Sequence, residues 1–329
     1  MKLFITGATG FLGRAVSENL IAEGHEVTAM VRDGRARVFE GVHPIEVRFD
    51  EPGRLCEALS GHDAIIHIAG KVSRNPADAT EMHWIHVEAT NTLLDAAEAA
   101  KVRKFILAST SGTVGIQDKP GRLATEHDTP AFEVIGRWPY YTSKLLQEQE
   151  VIRRNANDRI EAVILNPSLL LGPGDERLSS TQDVLNILNR RVPALTEGTV
   201  AFVDVRDAAL AFVRALERGR RGQRYLLNGA NMSLRNFVER VAGAGDVAFP
   251  KLVVPRVWAH RGAQWLDGVL SLLDMKAPVD PVSVDMGGYH WGCDASLAKR
   301  ELGFSARDPQ ATIDATVRWL EDRRLFRRT

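Results

Sequence analysis

Short apolar segments alternate with longer amphipathic segments over residues 1–170. The apolar segments predict β-strands at 2–6, 25–31, 43–49, 62–70, 102–110 and 160–167. Apolar residues at helical spacing predict helices that begin at Phe11 or cover 51–59, 81–101 and 138–156. Strands and helices that alternate in this way form a parallel, doubly wound sheet, so we predict an α/β fold of the Rossmann type.

The pattern is less regular after residue 171. It predicts helices at 180–191, 206–218 and 233–242, strands at 199–203 and 223–228, an apolar helix with tryptophans at 256–275, and helices at 294–302 and 309–324. We therefore expect a dinucleotide-binding domain at 1–170, to which 199–228 returns as part of the sheet. Residues 171–329 would mainly form a smaller α/β cap that binds the substrate.

A glycine-rich turn joins the first strand to the first helix. Gly7 permits the tight turn, Gly10 lets backbone amides approach a pyrophosphate, and Gly13 lets the helix pack close to the strand. The positive end of the helix favours the anion. At the end of the third strand, Asp50 is a candidate acceptor for the adenine amino group, although loop carboxylates are commonly only solvated.

The end of the second strand bears on the choice between NAD and NADP. An acidic side chain at this place would bind the ribose 2′-hydroxyl of NAD, but the position holds Val31. Arg32 follows, with two further arginines at 35 and 37, and a guanidinium suits a 2′-phosphate. Asp33 supports NAD if the register shifts by one residue. We favour NADP(H) over NAD(H), with Arg32 as the main contact.

Composition and charge exclude several classes of protein. Hydrophobic residues make up 44% and charged residues 26%, as in an ordinary globular chain. The 42 basic and 42 acidic residues balance, so no overall field attracts nucleic acid or an anionic membrane. Cys56 and Cys293 form neither a disulfide framework nor a metal-binding set, and we expect no metal. Without an evident signal peptide or transmembrane run, a cytoplasmic location is expected.

The segment "PYYTSK" contains a candidate acid–base pair. Tyr140 and Lys144 stand at i and i+4, so on a helix they share one face. A phenol has a pKa of about 10, and a nearby ammonium together with a positive nicotinamide would favour its ionised form. Tyr141 has Leu145 at the equivalent spacing and is expected in packing or at the rim of the pocket.

The motifs occur in a fixed order that resembles the extended short-chain dehydrogenase/reductases. They are the glycine turn, "HIAG", "FILASTSGTVG" and "PYYTSK", followed by "VILNPSLLLGPGD", "FVDVRDAALAFVRALE" and "DASLAKRELGF". Within this superfamily the chain looks most similar to the dihydroflavonol-reductase-like members of the NAD-dependent epimerase/dehydratase family. In "ASTSG" the hydroxyls of Ser109, Thr110 and Ser111 compete for a catalytic role. The resemblance implies that Thr110 takes it, that Tyr140 and Lys144 are also catalytic, and that Lys144 also holds the ribose of the nicotinamide. The implied cofactor-binding residues are Gly7, Thr9, Gly10, Phe11, Leu12, Gly13, Arg32, Asp50, Ala69, Gly70, Ser109, Lys144 and Pro167.

The chain departs from its apparent relatives at several positions. Many relatives carry Asn where this chain has His86 and Thr92. We expect His83 and His86 to be packing or surface residues rather than ligands. The segment "TSGT" lacks the Asp-Glu pair of sugar-nucleotide dehydratases, which disfavours 4,6-dehydration. Helices 81–101 and 138–156 often pair across a two-fold axis in relatives, which leaves a homodimer open.

The leading hypothesis is an NADP(H)-dependent reductase of a ketone or aldehyde, or the reverse oxidation of a secondary alcohol. The apolar helix with Trp258 and Trp265, together with Leu266, Val269, Leu270, Leu272 and Leu273, would suit an apolar or aromatic substrate, or would only pack the cap onto the sheet. Arg256 and Arg261 leave a nucleotide-sugar epimerase with bound NAD as the alternative. A sensor of NADP(H) without catalytic activity is a third hypothesis, and the Tyr, Lys and Thr set argues against it.

Overall fold

A seven-stranded parallel sheet dominates the computed structural model, which describes residues 1–271 and 280–327. The strands are β1 (Lys2–Thr6), β2 (Glu26–Val31), β3 (His43–Glu46), β4 (Ala64–His67), β5 (Lys104–Ala108), β6 (Glu161–Pro167), β7 (Leu169–Leu171), β8 (Thr199–Asp204), β9 (Arg224–Leu227) and β10 (Ala230–Ser233). The main sheet has the order β3-β2-β1-β4-β5-β6-β9. The strand order reverses between β1 and β4, where doubly wound sheets open a crevice for a ligand. The α/β Rossmann prediction is thus confirmed.

Helices cover both faces of this sheet. They are α1 (Phe11–Ala22), α2 (Pro52–Leu59), α3 (Ala79–His83), α4 (Ala89–Ala99), α5 (Phe132–Ile135), α6 (Pro139–Ala156), α7 (Gln182–Leu188), α8 (Val205–Arg218), α9 (Leu234–Gly245), α10 (Arg256–Ser271), α11 (Pro281–Met286), α12 (Ser296–Leu302) and α13 (Pro309–Asp322). One core packs α1, α8 and α12 on the sheet, and a second packs α2 and α4 on the opposite face. The central strands are therefore buried on both sides, which explains their nearly continuous apolar runs.

A second, three-stranded sheet belongs to the cap. Its order is β10-β8-β7, with β10 antiparallel to β8. Residues of α7, α9 and α13 pack with this sheet into a separate core. Within 199–228, β9 extends the main sheet and α8 packs on it, whereas β8 lies in the small sheet.

Several elements differ in detail from the prediction. The helix expected at 81–101 is α3, a π-helical turn at Trp84–Glu88 and α4 in succession. The π turn inserts one extra residue into the helical path, and such turns are frequent at functional sites. The helix expected at 256–275 is α10, and positions 272–275 lie outside the described residues. In the described ranges, we find no helix whose length and apolar character would let it cross a membrane.

Candidate active site

A cleft of ≈ 1830 Å³ lies at the carboxyl ends of the central strands and continues beneath the cap. Every residue that the sequence assigned to cofactor binding or catalysis lines this one cleft. The parallel direction of β1, β4, β5 and β6 brings their carboxyl ends to the same edge, so segments far apart in sequence meet there. The structure shows that these residues share one cleft, and their roles remain predictions.

The glycine turn is packed too closely for side chains. Gly7 has a φ of +78°, and a Cβ there would lie 2.6 Å from the amide nitrogen of Ala69. A Cβ at Gly13 would lie 2.1 Å from the carbonyl oxygen of Gly7. Gly10 precedes α1 and has no side chain to cap it, so the first amides of the helix are open to an anion in the cleft. These residues fit the pyrophosphate of a dinucleotide.

Basic residues gather where the adenosine end of such a cofactor would lie. Arg32, Arg37 and Arg48 all line this part of the cleft. Arg48 donates Nε and Nη2 to the carboxylate of Asp50 at 2.9 and 2.7 Å, and this interaction lowers the pKa of Asp50. The carboxylate expected to bind adenine is therefore already paired. Arg48 was not singled out from the sequence, because the predicted third strand, 43–49, included it, whereas the observed strand ends at Glu46.

Tyr140 and Thr110 face each other across the cleft wall. Tyr140 lies in the first turn of α6, and Thr110 precedes a 3₁₀ turn, Ser111–Thr113, that follows β5. The nearby Thr110 hydroxyl works to lower the pKa of the Tyr140 phenol. Burial has the larger effect and raises the pKa of Tyr140 to about 12. In the protein alone, the phenol is thus held in its protonated form.

Lys144 is buried one turn further along α6. Its Nζ donates to the carbonyl oxygen of Ala108 at 2.6 Å and to Oε1 of Gln147. Burial lowers the pKa of Lys144 to about 7, against the opposing effect of Glu148. Gln147 escaped the sequence analysis because a glutamine on an amphipathic helix carries no distinctive signal.

An aromatic wall, formed by Trp138, Tyr141 and Trp291, borders the cleft next to Tyr140. The ring centroids of Tyr140 and Tyr141 are 5.0 Å apart at 72°, and those of Tyr141 and Trp291 are 5.3 Å apart. Gly112 leaves the space for Tyr141, because a Cβ there would lie 2.1 Å from Cε1 of the ring. Tyr141 therefore lines the pocket, as expected for the neighbour of the predicted catalytic tyrosine.

The two tryptophans of α10 do not line the cleft. Trp258 and Trp265 are 67% and 70% exposed, so they neither contact a substrate in the cleft nor pack the cap onto the sheet. The small residues Ala259, Gly262 and Ala263 face the cleft instead. The expectation that these tryptophans form the pocket or its packing is therefore wrong. The side chains assigned to the same face between 266 and 273 lie outside those described.

An ion pair crosses the substrate end of the cleft. Arg74, on the loop after β4, donates to both carboxylate oxygens of Asp183 in α7, at 2.7 and 2.5 Å. The same guanidinium donates to Ser283 Oγ at 2.9 Å, at the start of α11. This pair links the loop after β4 to α7 and α11. Neither member was singled out from the sequence, because the two are separated by more than a hundred positions.

His86 is buried in the π turn and packs the edge of its ring against Tyr140, with centroids 5.9 Å apart. Its Nδ1 lies 2.8 Å from Ser143 Oγ, and its Nε2 accepts the amide proton of Lys71 at 3.2 Å. Burial lowers the pKa of His86 to about 2, so the ring is neutral. His86 is thus the packing residue that we expected, and it fixes the loop after β4 against α6.

Comparison with known proteins agrees with this architecture. Residues 3–227 match the model of the NAD-dependent epimerase/dehydratase family. The chain belongs to this family. The resemblance to extended short-chain dehydrogenase/reductases is thereby confirmed.

The curated relatives include reductases. A protein of Synechocystis sp. provisionally named dihydroflavonol 4-reductase is 28% identical over 97% of this chain and 94% of its own length. A 2-alkyl-3-oxoalkanoate reductase of Stenotrophomonas maltophilia is 27% identical over 98% of each chain. The crystal structure of gox2253 has a TM-score of 0.85 and 28% identity, and covers 99% of both chains. These similarities support an NAD(P)-dependent oxidoreductase.

Proposed function

We propose that the chain is an NADP(H)-dependent carbonyl reductase, which interconverts a ketone or aldehyde and the corresponding alcohol. The observation that carries the proposal is the meeting of Tyr140, Thr110 and Lys144 in the cleft that the glycine turn opens. When bound, the nicotinamide supplies or accepts the hydride. The protein supplies the proton and the alignment of the reacting groups.

The raised pKa of Tyr140 suits a proton donor in the direction of reduction. With a pKa of about 12, the phenol remains protonated at neutral pH and can transfer its proton to an oxygen that gains negative charge. The Thr110 hydroxyl lines the cleft beside Tyr140 and can offer a second hydrogen bond to the same substrate oxygen. Lys144 is held by two protein oxygens and can donate its remaining proton to the ribose.

The loop after β2 supports NADP(H) over NAD(H). Arg32 and Arg37 line the cleft at this point. Asp33, the residue that would favour NAD, accepts the amide proton of Arg35 at 2.9 Å within its own loop. A carboxylate engaged in this way is less available to a ribose hydroxyl, whereas the guanidinium groups suit a 2′-phosphate.

The substrate end of the cleft supports an apolar or aromatic carbonyl compound. The aromatic wall borders Tyr140, and apolar residues such as Leu195, Phe237 and Met286 line the cap side. The Arg74 guanidinium in the cleft is already paired with Asp183, and Arg256 with Asp118, which makes both less available to a diphosphate. The alternative, a nucleotide-sugar epimerase with bound NAD, keeps its support from the family description.

The catalytic proposal is tested with Tyr140→Phe. We expect turnover of ketones and aldehydes with NADPH to fall by two or more orders of magnitude, roughly the contribution of a positioned general acid. NADPH affinity, followed by cofactor fluorescence, should stay nearly unchanged. A fully active variant would refute the mechanism. Conversion of UDP-sugars without net redox, by protein that retains nicotinamide through gel filtration, would establish the alternative.

Cofactor choice is tested with Arg32→Ala. We expect KM for NADPH to rise about tenfold or more while KM for NADH changes little, because one charge-assisted contact to the phosphate is lost. Arg35→Ala is the matched control, since this exposed arginine is on the same loop but does not line the cleft. A wild-type KM for NADH equal to or below that for NADPH would overturn the choice of NADP(H).

A further inference from the structure

A chain of buried hydrogen bonds between uncharged side chains leads away from Lys144. The Nζ atom donates to Gln147 Oε1, and Gln147 Nε2 donates to Thr90 Oγ1 at 2.8 Å. Thr90 Oγ1 lies 2.9 Å from His67 Nε2, and His67 Nδ1 lies 2.7 Å from Thr6 Oγ1. The chain connects α6, α4, β4 and β1, and every member is at least nine-tenths buried.

The ammonium selects one direction for the protons of this chain. A positive charge favours neighbouring dipoles that turn their negative ends toward it, and hydrogen bonds in series polarise one another. In that arrangement Gln147 donates to Thr90, Thr90 donates to His67 Nε2, and His67 Nδ1–H donates to Thr6. Thr6 Oγ1 also accepts the amide proton of Ala69 at 3.2 Å, which completes the chain at the turn beside the cofactor cleft. Each donor then points away from the ammonium.

Only neutral groups accept hydrogen bonds from the buried Lys144 among the described residues. Its protein partners are a carbonyl oxygen and an amide oxygen. Around it stand Tyr140, the imidazoles of His67 and His86, and the carboxylate of Glu148. Burial lowers the pKa of both imidazoles, to about 3 and about 2, so neither carries charge near neutral pH. Glu148 is itself hydrogen-bonded to Arg224.

We propose that Gln147 is a positioning residue of the active site, which fixes the direction of the Lys144 ammonium and stabilises its positive charge through the Thr90–His67–Thr6 chain. Gln147 lies on the buried face of α6, whereas Gln149, two positions further along the helix, is exposed. A long, flexible amide would be free to turn away if Thr90 did not hold its nitrogen. The role in catalysis, but not the electrostatic effect on Lys144, rests on the function proposed above.

The electrostatic effect can be measured in the protein without cofactor. Lysine labelled with ¹³C at the ε position reports the pKa of Lys144 by NMR titration, and the signal is assigned by its loss in Lys144→Met. In Gln147→Glu, the new carboxylate should raise this pKa by roughly one unit or more. In Gln147→Leu, loss of the acceptor should lower it. Gln149→Glu adds the same charge on the exposed side of α6 and should leave it unchanged.

A second variant tests the chain itself. Thr90→Val keeps the side-chain volume and removes the hydroxyl that holds Gln147, so it should lower the pKa of Lys144 by less than Gln147→Leu does. The alkaline limb of the kcat/KM profile should follow the pKa of Lys144, because a charged Lys144 is needed at the ribose. It should therefore move to higher pH in Gln147→Glu and to lower pH in Thr90→Val and, further, in Gln147→Leu. The same Lys144 pKa in Gln147→Glu, Gln147→Leu and wild type would overturn the proposal. An unchanged value in Thr90→Val would overturn the chain.

These outcomes are separate from those of the proposed function. If Tyr140→Phe were fully active while the order of Lys144 pKa values held, the carbonyl-reductase mechanism would fail and the role of Gln147 in holding the ammonium would stand. If the order of Lys144 pKa values failed while Tyr140→Phe was inactive, the role of Gln147 would fail and the carbonyl-reductase mechanism would stand.

Discussion

Glu148 is a fully buried carboxylate near the active site, and Arg224 is its ion-pair partner. The side chain is fully buried on α6, one turn after Lys144. Arg224, at the start of β9, forms an ion pair with Oε2. Oε1 accepts hydrogen bonds from Thr113 at 2.9 Å and from Asn166 at 2.7 Å. The cluster joins α6 to the turn that carries the predicted catalytic threonine.

Arg224→Met should therefore destabilise the protein strongly. Removal of one member of a buried ion pair costs about 3–5 kcal/mol, since the other charge remains in a medium of low polarity. Glu148 would retain its two neutral donors, so we expect a loss near the lower end, about 3 kcal/mol. Methionine fills much of the arginine stem, and the buried Nε of Arg224 has no hydrogen-bond partner, so little else is lost.

The assay is urea denaturation followed by far-UV circular dichroism. Glu148→Gln in the Arg224→Met background removes the unpaired charge while keeping an acceptor for Thr113 and Asn166, and should recover about 2 kcal/mol. Glu148→Gln alone should cost less than Arg224→Met, because the arginine side chain is 15% exposed and can reach water. A loss below about 1 kcal/mol for Arg224→Met, or no recovery in the double variant, would refute the reasoning.

Three further predictions follow from local geometry. Gly13→Ala should weaken NADPH binding at least about tenfold, because its Cβ would lie 2.1 Å from the carbonyl oxygen of Gly7. Gly53→Ala is the control, since it has open space around it and should bind NADPH normally. Equal NADPH affinities of the two variants would contradict the close approach at Gly13. Gly112→Ala should displace the Tyr141 ring and raise KM for the carbonyl substrate more than KM for NADPH. An unchanged KM for the substrate would show that the Tyr141 ring does not contact it. Folding lowers the pKa of His67 from 6.5 to about 3. Between these pH values the unfolded chain binds more protons at His67 than the folded protein does, so the free energy of unfolding decreases as pH falls below about 6.5. The decrease is up to about 1.4 kcal/mol per pH unit, and denaturation between pH 7.5 and 5.5 should show a smaller slope for His67→Gln but not for the exposed His83→Gln.

The regular part of the fold was accessible from the sequence for a physical reason. The strands of the main sheet are buried on both faces, so their apolar runs are nearly continuous, and the helices between them show one apolar face each. β1 was predicted at its observed bounds, Lys2–Thr6, and α6 differs from its predicted range by one residue. The third strand, partly exposed at the edge of the sheet, was predicted three residues too long, because Val47 and Phe49 beyond its end are buried and continue the alternating apolar pattern.

The cap was less accessible, because its helices contact several surfaces at once. The pattern of α10 indicated an apolar face, yet Trp258 and Trp265 lie on the surface while small residues face the cleft. Hydrophobic periodicity shows that a helix has an apolar side, but not whether that side meets the core, a ligand or solvent. The π turn that contains His86 was also missed, since an insertion of one residue leaves the local composition unchanged.

The sequence by itself determined the order of strands and helices, the glycine turn and the spacing of Tyr140 and Lys144, since each depends on neighbours within a few positions. Only the tertiary structure decided which distant residues share the cleft. It brought Arg48 to the same part of the cleft as Arg32, Arg74 to Asp183, and Gln147 to Lys144, with Thr90 and His67 behind Gln147. Such contacts arise from the packing of helices on a sheet, where the partner of a buried polar group is chosen by geometry rather than by sequence distance.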